Sequence, residues 1–437
     1  MLYLNTATDK PPTPKERVDI MVRNINRLGI PMDYDRLLEY CVHFKFQASL
    51  YEERLRSLLS IGTMDVKDGQ VKDWIFNNGL ERGFPTTPKG DISISVDALQ
   101  SVIDRNVHPA EVIEVFKIIK EWNFNKAQAL LLPNVINSHQ PSGVETEDGR
   151  RVIFVTPTVT LQNTGRFGMS NPAVMNFPRY MKDLYVAPKG WTLISADSGQ
   201  IEPKIIYGFY LKDPQINALI KLYKDAYYGV LHYCTMPKED IINGKMDFEP
   251  FEINEEKKAL RQRLKTYGNG VMYGSTSNPE QDPLKQAYID RIGQHPLRKS
   301  WFNDLESKLM AGQREFPTLF GTPINVYKSE KYNAARDEKS KLLALEHCII
   351  NNPIQGTAAD LMGFSLRATD KLLREKAPNS WITKFVHDEG SYCVYNEELE
   401  AVYDELKEHT SYCIDDDVII YNDPHIGNPR TDIAPSI

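Results

Sequence analysis

The 437-residue chain has little cysteine, no long apolar run and no excess of basic charge. Its five cysteines, Cys41, Cys234, Cys348, Cys393 and Cys413, are scattered, odd in number and never arranged as CxxC. Neither a disulfide framework nor a zinc site is indicated, and a reducing cytosol fits best. The most apolar stretches, such as that around Ile349 and Ile350, are broken within a few residues by Asn, Pro or charge. They fall short of the ~18 apolar residues that spanning a membrane requires. The N-terminus, MLYLNTATDKPPTPKER, is polar and proline-rich, unlike a secretory signal. Lys and Arg number 52 against 59 Asp and Glu, a formal charge of −7. Taken alone that argues against a polyanion partner, but whole-chain charge averages over faces, and metal-binding carboxylates also make a chain acidic. No internal repeat or low-complexity tract is present.

What is present is ordinary for a globular protein: 41% hydrophobic and 25% charged residues. At roughly 100–200 residues per domain the chain makes about two to four compact units, or one large unit with lobes. Helical spacing over Arg17–Leu28 and from about Asp33 to Ser60, separated by Gly29–Pro31, predicts a pair of antiparallel helices. Further helical patterns cover Val96–Arg105 and Pro109–Leu131, so the first 135 or so residues read as a mostly helical lobe. From Arg151 the pattern turns to strand-like alternation, followed by the apolar run Trp191–Ala196. Helical patterns return from about Gln200 to Lys308 and again over Asp337–Glu375, and a hairpin signal closes the series at Trp381–Tyr395.

Four segments could carry chemistry. In LISADSGQIEPK an apolar strand ends at Asp197 and a helix begins at once, with Pro203 tolerable only in a first turn. In KFVHDEGSYCV a second apolar strand ends in the acidic tip Asp388–Glu389. Each tip alone is most often turn chemistry. Brought together, they would supply hard oxygen ligands for a pair of Mg²⁺ ions, an arrangement suited to phosphoryl transfer. In LRQRLKTYGNGVMYGS, Arg261, Lys265, Asn269 and Tyr273 recur every four residues and share a helical face. Two cations one turn apart suit a triphosphate, and an aromatic further along suits a base, although a solvated basic face has the same spacing. Gly268, Gly270 and Gly274 each cost about 1 kcal/mol in a helix interior relative to Ala, which close approach of a ligand would explain. In NNPIQGTAADLM, Asn351 and Gln355 lie one turn apart on a helix of small residues, as minor-groove donors or as satisfied amides of a buried helix.

In this order the segments resemble the DNA polymerase I family, family A of the template-directed DNA polymerases. DSGQIEPK resembles the family's DYSQIELR, RQRLKTYGNGVMYG its RRxxKxxNFGxxYG, and FVHDE its VHDE. The Asn351–Asp360 segment resembles NxPxQGTAAD almost letter for letter. Thr164–Arg179 matches TGRxSSxxPxxQNxPR in register, Pro317–Gly321 resembles the segment beyond the fingers' tip, and Gly79–Leu99 resembles the thumb's LPxxxKTxKGxxSTxxxxL. The resemblance runs from about Arg17 to the C-terminus.

It implies an α+β right-hand polymerase fold of thumb, palm with an antiparallel sheet, and helical fingers. The divisions would be an extension 1–16, thumb 17–150, palm 151–211, fingers 212–335 and palm again 336–437. Asp197 and Asp388 would hold two Mg²⁺ ions, or Mn²⁺ as a substitute, with the Ser198 carbonyl as a further ligand. Arg261 and Lys265 would bind the incoming triphosphate, with Lys265 also the acid toward pyrophosphate. Tyr273, Asn269 and Gln200 would lie at the nucleotide, and Glu202 would be the steric gate against a ribose 2′-hydroxyl. Arg166, Asn176, Asn351, Gln355 and His387 would contact primer–template, with Glu389 a supporting carboxylate beside the metals. The function implied is DNA-directed extension of a primer with dNTPs. The alternatives are a single-subunit RNA polymerase on the same fold and a non-catalytic primer–template-binding replication subunit.

Several positions depart from the family pattern. Ser198–Gly199 and Pro203–Lys204 alter the packing beneath the gate, Gly268 and Asn269 replace Asn and a large aromatic, and His347 replaces an Arg. Sugar discrimination and DNA affinity are where these departures bear. Only about sixteen residues precede the thumb, so no proofreading exonuclease is expected in the chain. A bacteriophage or mobile-element replicase of the host cytosol is implied, working with a separate exonuclease, helicase or processivity factor and no membrane.

Overall fold

The computed structural model describes all residues except 61, 63–64, 88–89, 140, 238, 240, 242–248, 274–281, 330–331, 334, 336, 387, 416–417, 421–423 and 427–437, and the side chains of Arg179 and Asn269. The chain divides into two compact units. One is formed by Met1–Arg27, Val159–Gly168 and Trp191–Pro429, and the other by Leu28–Thr158 and Met169–Gly190. The first unit begins with β1 (Leu2–Leu4) and α1 (Pro14–Arg27).

The second unit contains β2 (Ile30–Asp33), α2 (Tyr34–Leu58), α3 (Asp68–Asn77), α4 (Val96–Arg105), α5 (Ala110–Ser138) and β3 (Val152–Val155). Asp33 caps α2 by accepting from the Arg36 amide at 2.9 Å and also binds Arg150. Such a cap satisfies one of the orphan amides of a helix N-terminus. The long helices α2 and α5 pack along one another, and α3 and α4 close a core that includes Leu55, Val71, Leu99, Phe116 and Trp122. Strand β2 pairs antiparallel with β3, from Ile30↔Val155 to Asp33↔Val152.

Two expectations are corrected here. The partner of α2 is α5, whereas α1 packs in the other unit against β9 and α12, introduced below. Moreover α5 continues to Ser138, past Pro133. A proline removes one helical hydrogen bond, and the buried Leu132 and Val135 hold the last turns in place.

After β4 (Thr158–Leu161) and β5 (Phe167–Ser170), the first unit continues with β6 (Trp191–Asp197), the short α6 (Ile201–Ile205) with its π-helical continuation Ile206–Leu211, α7 (Pro214–Tyr223), α8 (Ala226–Thr235) and α9 (Glu255–Met272). They are followed by α10 (Pro283–Tyr288), α11 (Pro296–Met310), the hairpin β7 (Glu315–Pro317) and β8 (Pro323–Asn325), and α12 (Glu338–Lys376). The chain then forms β9 (Trp381–Val386), β10 (Glu389–Tyr395), α13 (Leu399–His409), β11 (Tyr412–Ile414), β12 (Val418–Ile420) and β13 (His425–Ile426). The sheet that organises the unit has the order β13-β6-β10-β9 with antiparallel neighbours. A smaller sheet, β1-β11-β12, has β1 parallel to β11.

Helix α12 is the unit's spine. Every residue from Gly356 to Leu366 is buried, the mark of a helix enclosed on all sides. Within that buried stretch Thr357 donates to the Pro353 carbonyl at 2.8 Å and Ser365 to the His409 carbonyl at 2.6 Å. No described helix is long and apolar enough to cross a membrane.

Candidate active site

Strand β6 has Leu193–Ala196 buried and ends at the exposed Asp197. Its antiparallel partner β10 starts at Glu389, which lies opposite Asp197 in the ladder. That register brings the turn between β9 and β10 to the end of β6, where the Ser198 amide donates to the Asp388 carbonyl at 2.8 Å. The two carboxylates are 191 residues apart in sequence, yet they meet at one corner of the sheet. Burial, then the negative charge of Asp197, push the Asp388 carboxyl up to about 6. A carboxylate disfavoured by burial and by a like charge is what a divalent cation would relieve, so the donor set fits a hard metal ion. Among the described residues no group of three or more His, Cys, Asp or Glu side chains is placed to hold a metal. Glu389 itself is engaged by Lys384 at 3.2 Å and by the Ser391 hydroxyl at 3.0 Å.

Beyond Asp197 the chain turns through Gln200, whose φ of 63° is left-handed, into α6. Glu202, in the first turn, accepts from the Tyr273 hydroxyl at 2.7 Å and pairs with Arg166. The expected gate residue, the expected aromatic and one expected DNA contact thus form a single cluster. Burial first, and the Glu202 charge second, raise the Tyr273 pKa, so the phenol stays a neutral donor. The Nε of Arg166 has no hydrogen-bond partner among the described residues.

Helix α9 carries Arg261 and Lys265 one turn apart, and Tyr273 lies just past its end. Lys265 is exposed. Arg261 is half-buried, donating through Nε at 3.0 Å and Nη2 at 2.7 Å to Asp225, with the rings of Tyr227 and Tyr228 at 5.6 and 5.2 Å. Gln200 does not stand free either, since its amide donates to Asp225 at 2.5 Å and accepts from the Ala226 backbone at 2.7 Å. Asp225 is absent from the sequence reading. Its only signal there is an Asp ahead of a helix, which indicates a cap and nothing more. At Gly268 a Cβ would meet Tyr227 at 3.4 Å and the Tyr288 hydroxyl at 3.7 Å, ordinary van der Waals contact. Internal packing alone therefore does not demand a glycine at that position. The side chain of Asn269, Gly274 and His387 lie outside the described residues. Asn176 ends the short turn Val174–Asn176 in the second unit.

Asn351 and Gln355 line a cleft of about 540 Å³ together with Thr164, Tyr273, His347 and Asn352. The Asn351 Oδ1, Asn352 Nδ2 and Thr164 Oγ1 atoms are buried with no partner among the described residues. Unpaired buried polar atoms are costly, about 1–3 kcal/mol each, and a polar ligand would satisfy them. The remaining letters of that segment have structural work. Asp360 is buried, paired with Arg17 and accepting from the Thr318 hydroxyl at 2.6 Å, and Gly356 admits the β7–β8 hairpin.

Comparison with known proteins adds four findings. The family described as DNA polymerase family A matches residues 67–428. DNA polymerase I of Aquifex aeolicus is 26% identical over 404 residues, covering 88% of this chain and 61% of that protein. The thermostable DNA polymerase I of Thermus aquaticus is 27% identical over 342 residues, covering 74% of this chain and 36% of that protein. The chain therefore spans less than two thirds of these relatives' length. Among solved structures, the POL domain of Pol1 from M. smegmatis, in complex with DNA primer-template and dNTP, superposes with a TM-score of 0.69 at 20% identity. That match covers 94% of this chain and 70% of the other, and it establishes the shared α+β polymerase fold.

Proposed function

This chain belongs to DNA polymerase family A, and on that premise we propose that it extends a primer 3′ end with dNTPs under the direction of a DNA template. The observation that carries the reading is the meeting of Asp197 and Asp388 at one sheet corner, with the Asp388 carboxyl held high by burial and by its neighbour. Two Mg²⁺ ions held by Asp197, Asp388 and the Ser198 carbonyl would supply Lewis acidity to the primer hydroxyl and to the phosphates. The chain's own residues act around that centre. Arg261 and Lys265, one turn apart on α9, bind the triphosphate, and Lys265 delivers a proton to the departing pyrophosphate. Tyr273 and Arg166 hold the Glu202 carboxylate where it crowds a 2′-hydroxyl. The unpaired amides of Asn351 and Asn352 accept and donate to the nucleic acid in the cleft, a role suited to the minor groove.

The fingers are assigned to 212–335 and the palm to 336–437 with those parts of 151–211 that lie in the carboxylate-bearing unit, Val159–Gly168 and 191–211. For the thumb, the packing of Met1–Arg27 within the carboxylate-bearing unit supports a start at Leu28. Primer extension with Mg²⁺ tests the reading, with Asp388→Asn as the control. Templated dNTP addition by the parent chain, lost in the variant while primer–template binding persists, is the expected result. Incorporation by Asp388→Asn at the parent rate would sink the metal assignment, and ribonucleotide addition at the dNTP rate would favour the RNA polymerase reading.

A further inference from the structure

Asp225 belongs to none of the motifs in which the family resemblance resides, yet it joins two of them. It caps α8, its Oδ1 accepting from the Tyr228 amide at 2.8 Å. Its other oxygen, Oδ2, accepts three hydrogen bonds: from Gln200 Nε2 at 2.5 Å, and from Arg261 Nε at 3.0 Å and Nη2 at 2.7 Å. Gln200 completes the link by accepting from the Ala226 amide, the first residue of α8. One carboxylate oxygen therefore ties the turn that follows Asp197 to the helix that carries Arg261 and Lys265.

A guanidinium presents five N–H groups in a fixed plane. Asp225 holds one edge, Nε and Nη2, while Tyr227 and Tyr228 lie beside the group. Among the described residues Nη1 has no hydrogen-bond partner, and the side chain keeps 24% of its exposure. An arginine restrained in this way offers its remaining edge to an anion without first losing rotamer freedom.

We propose that Asp225 is a positioning residue for the incoming nucleotide: it orients Arg261 so that the free edge of the guanidinium meets the triphosphate, and through Gln200 it registers α9 against the turn bearing Asp197. The proposal rests on the nucleotidyl-transfer reading above. It also carries a tension that makes it testable, because a carboxylate near a triphosphate repels it. If ordering of Arg261 dominates, removing the carboxylate weakens nucleotide binding; if repulsion dominates, removal strengthens it.

Asp225→Asn separates the cap from the hub. The amide oxygen can remain on the Tyr228 N–H, which leaves an NH₂ facing three donors where Oδ2 was. Asp225→Ser, which also retains a capping oxygen, is the second variant. In steady-state primer extension, both are expected to raise the dNTP KM about tenfold, the scale of a charge-assisted hydrogen bond. The kcat should change by less than about threefold, with primer–template affinity unchanged. In an Arg261→Ala background, Asp225→Asn should add nothing further to KM, because it acts through that side chain. A KM unchanged or lowered by Asp225→Asn, or an equal rise in both backgrounds, overturns the proposal. Absence of extension by the parent chain is a separate result, which overturns the nucleotidyl-transfer reading itself.

Discussion

Glu202 is held by two donors from distant segments, the Tyr273 hydroxyl at 2.7 Å and the Arg166 guanidinium. A carboxylate fixed at two points can exclude a substituent that a mobile one would yield to. Tyr273→Phe removes one donor and leaves the other, so the deoxy-to-ribo preference should fall by about tenfold, the scale of one hydrogen bond to a charged group. Glu202→Ala should lower it further. Competitive incorporation of a dNTP and its ribonucleotide checks both, and an unchanged preference in Glu202→Ala would remove Glu202 from sugar selection. Glu202, Tyr273 and Arg166 are each legible individually in their motifs. Their mutual contacts were not legible, because the three come from separate stretches of chain and only folding sets which side chain answers which.

At the scale of elements, α12 is anchored by groups whose resemblance to a nucleic-acid motif conceals a packing role. Asp360 is almost fully buried with Arg17 from α1 and Thr318 from the turn after β7. Breaking a buried pair by removing one partner leaves an uncompensated charge, so Asp360→Ala should destabilise the protein by about 3–5 kcal/mol, read as a lowered urea midpoint. At Gly356 a Cβ would overlap Ile324 Cδ1 and stand 2.8 Å from Thr318 Cγ2. Gly356→Ala should therefore cost about 1–3 kcal/mol through overpacking. A midpoint equal to the parent's in either variant would remove that residue from the anchoring role. Periodicity located α2, α4, α12 and the β9–β10 hairpin to within a few residues. It did not locate α3, a ten-residue helix with only Val71 and Ile75 fully buried, because so short a pattern is lost among turn signals.

For the whole molecule, the formal charge of −7 sets the expectation of a small number of phosphate contacts. Primer–template affinity should fall with added salt along a log–log slope shallower than about −5, corresponding to fewer than about six phosphate contacts. Fluorescence anisotropy between 50 and 200 mM salt, roughly the range in which such slopes are resolved, measures it, and a steeper slope would reveal a basic face that the overall balance hides. Chelation by EDTA should abolish extension, and Mg²⁺ should restore it, while binding in EDTA persists. Extension that survives EDTA would argue against a metal at Asp197 and Asp388.

The sequence by itself determined which chemical groups the chain carries and in what order: Asp197, Glu202, Arg261, Lys265, Tyr273, Asn351, Gln355 and Asp388. It determined the period of the long elements too, because spacing along the chain is a local property that survives without knowledge of the fold. Only the tertiary structure decided the pairings. The register Glu389↔Asp197 brings two carboxylates together, Asp225 captures Arg261 and Gln200, Asp360 turns to Arg17, and Gly268 packs against Tyr227. Each of these depends on strand register or helix packing between segments remote in sequence, and burial and hydrogen bonding set such contacts across the whole unit at once.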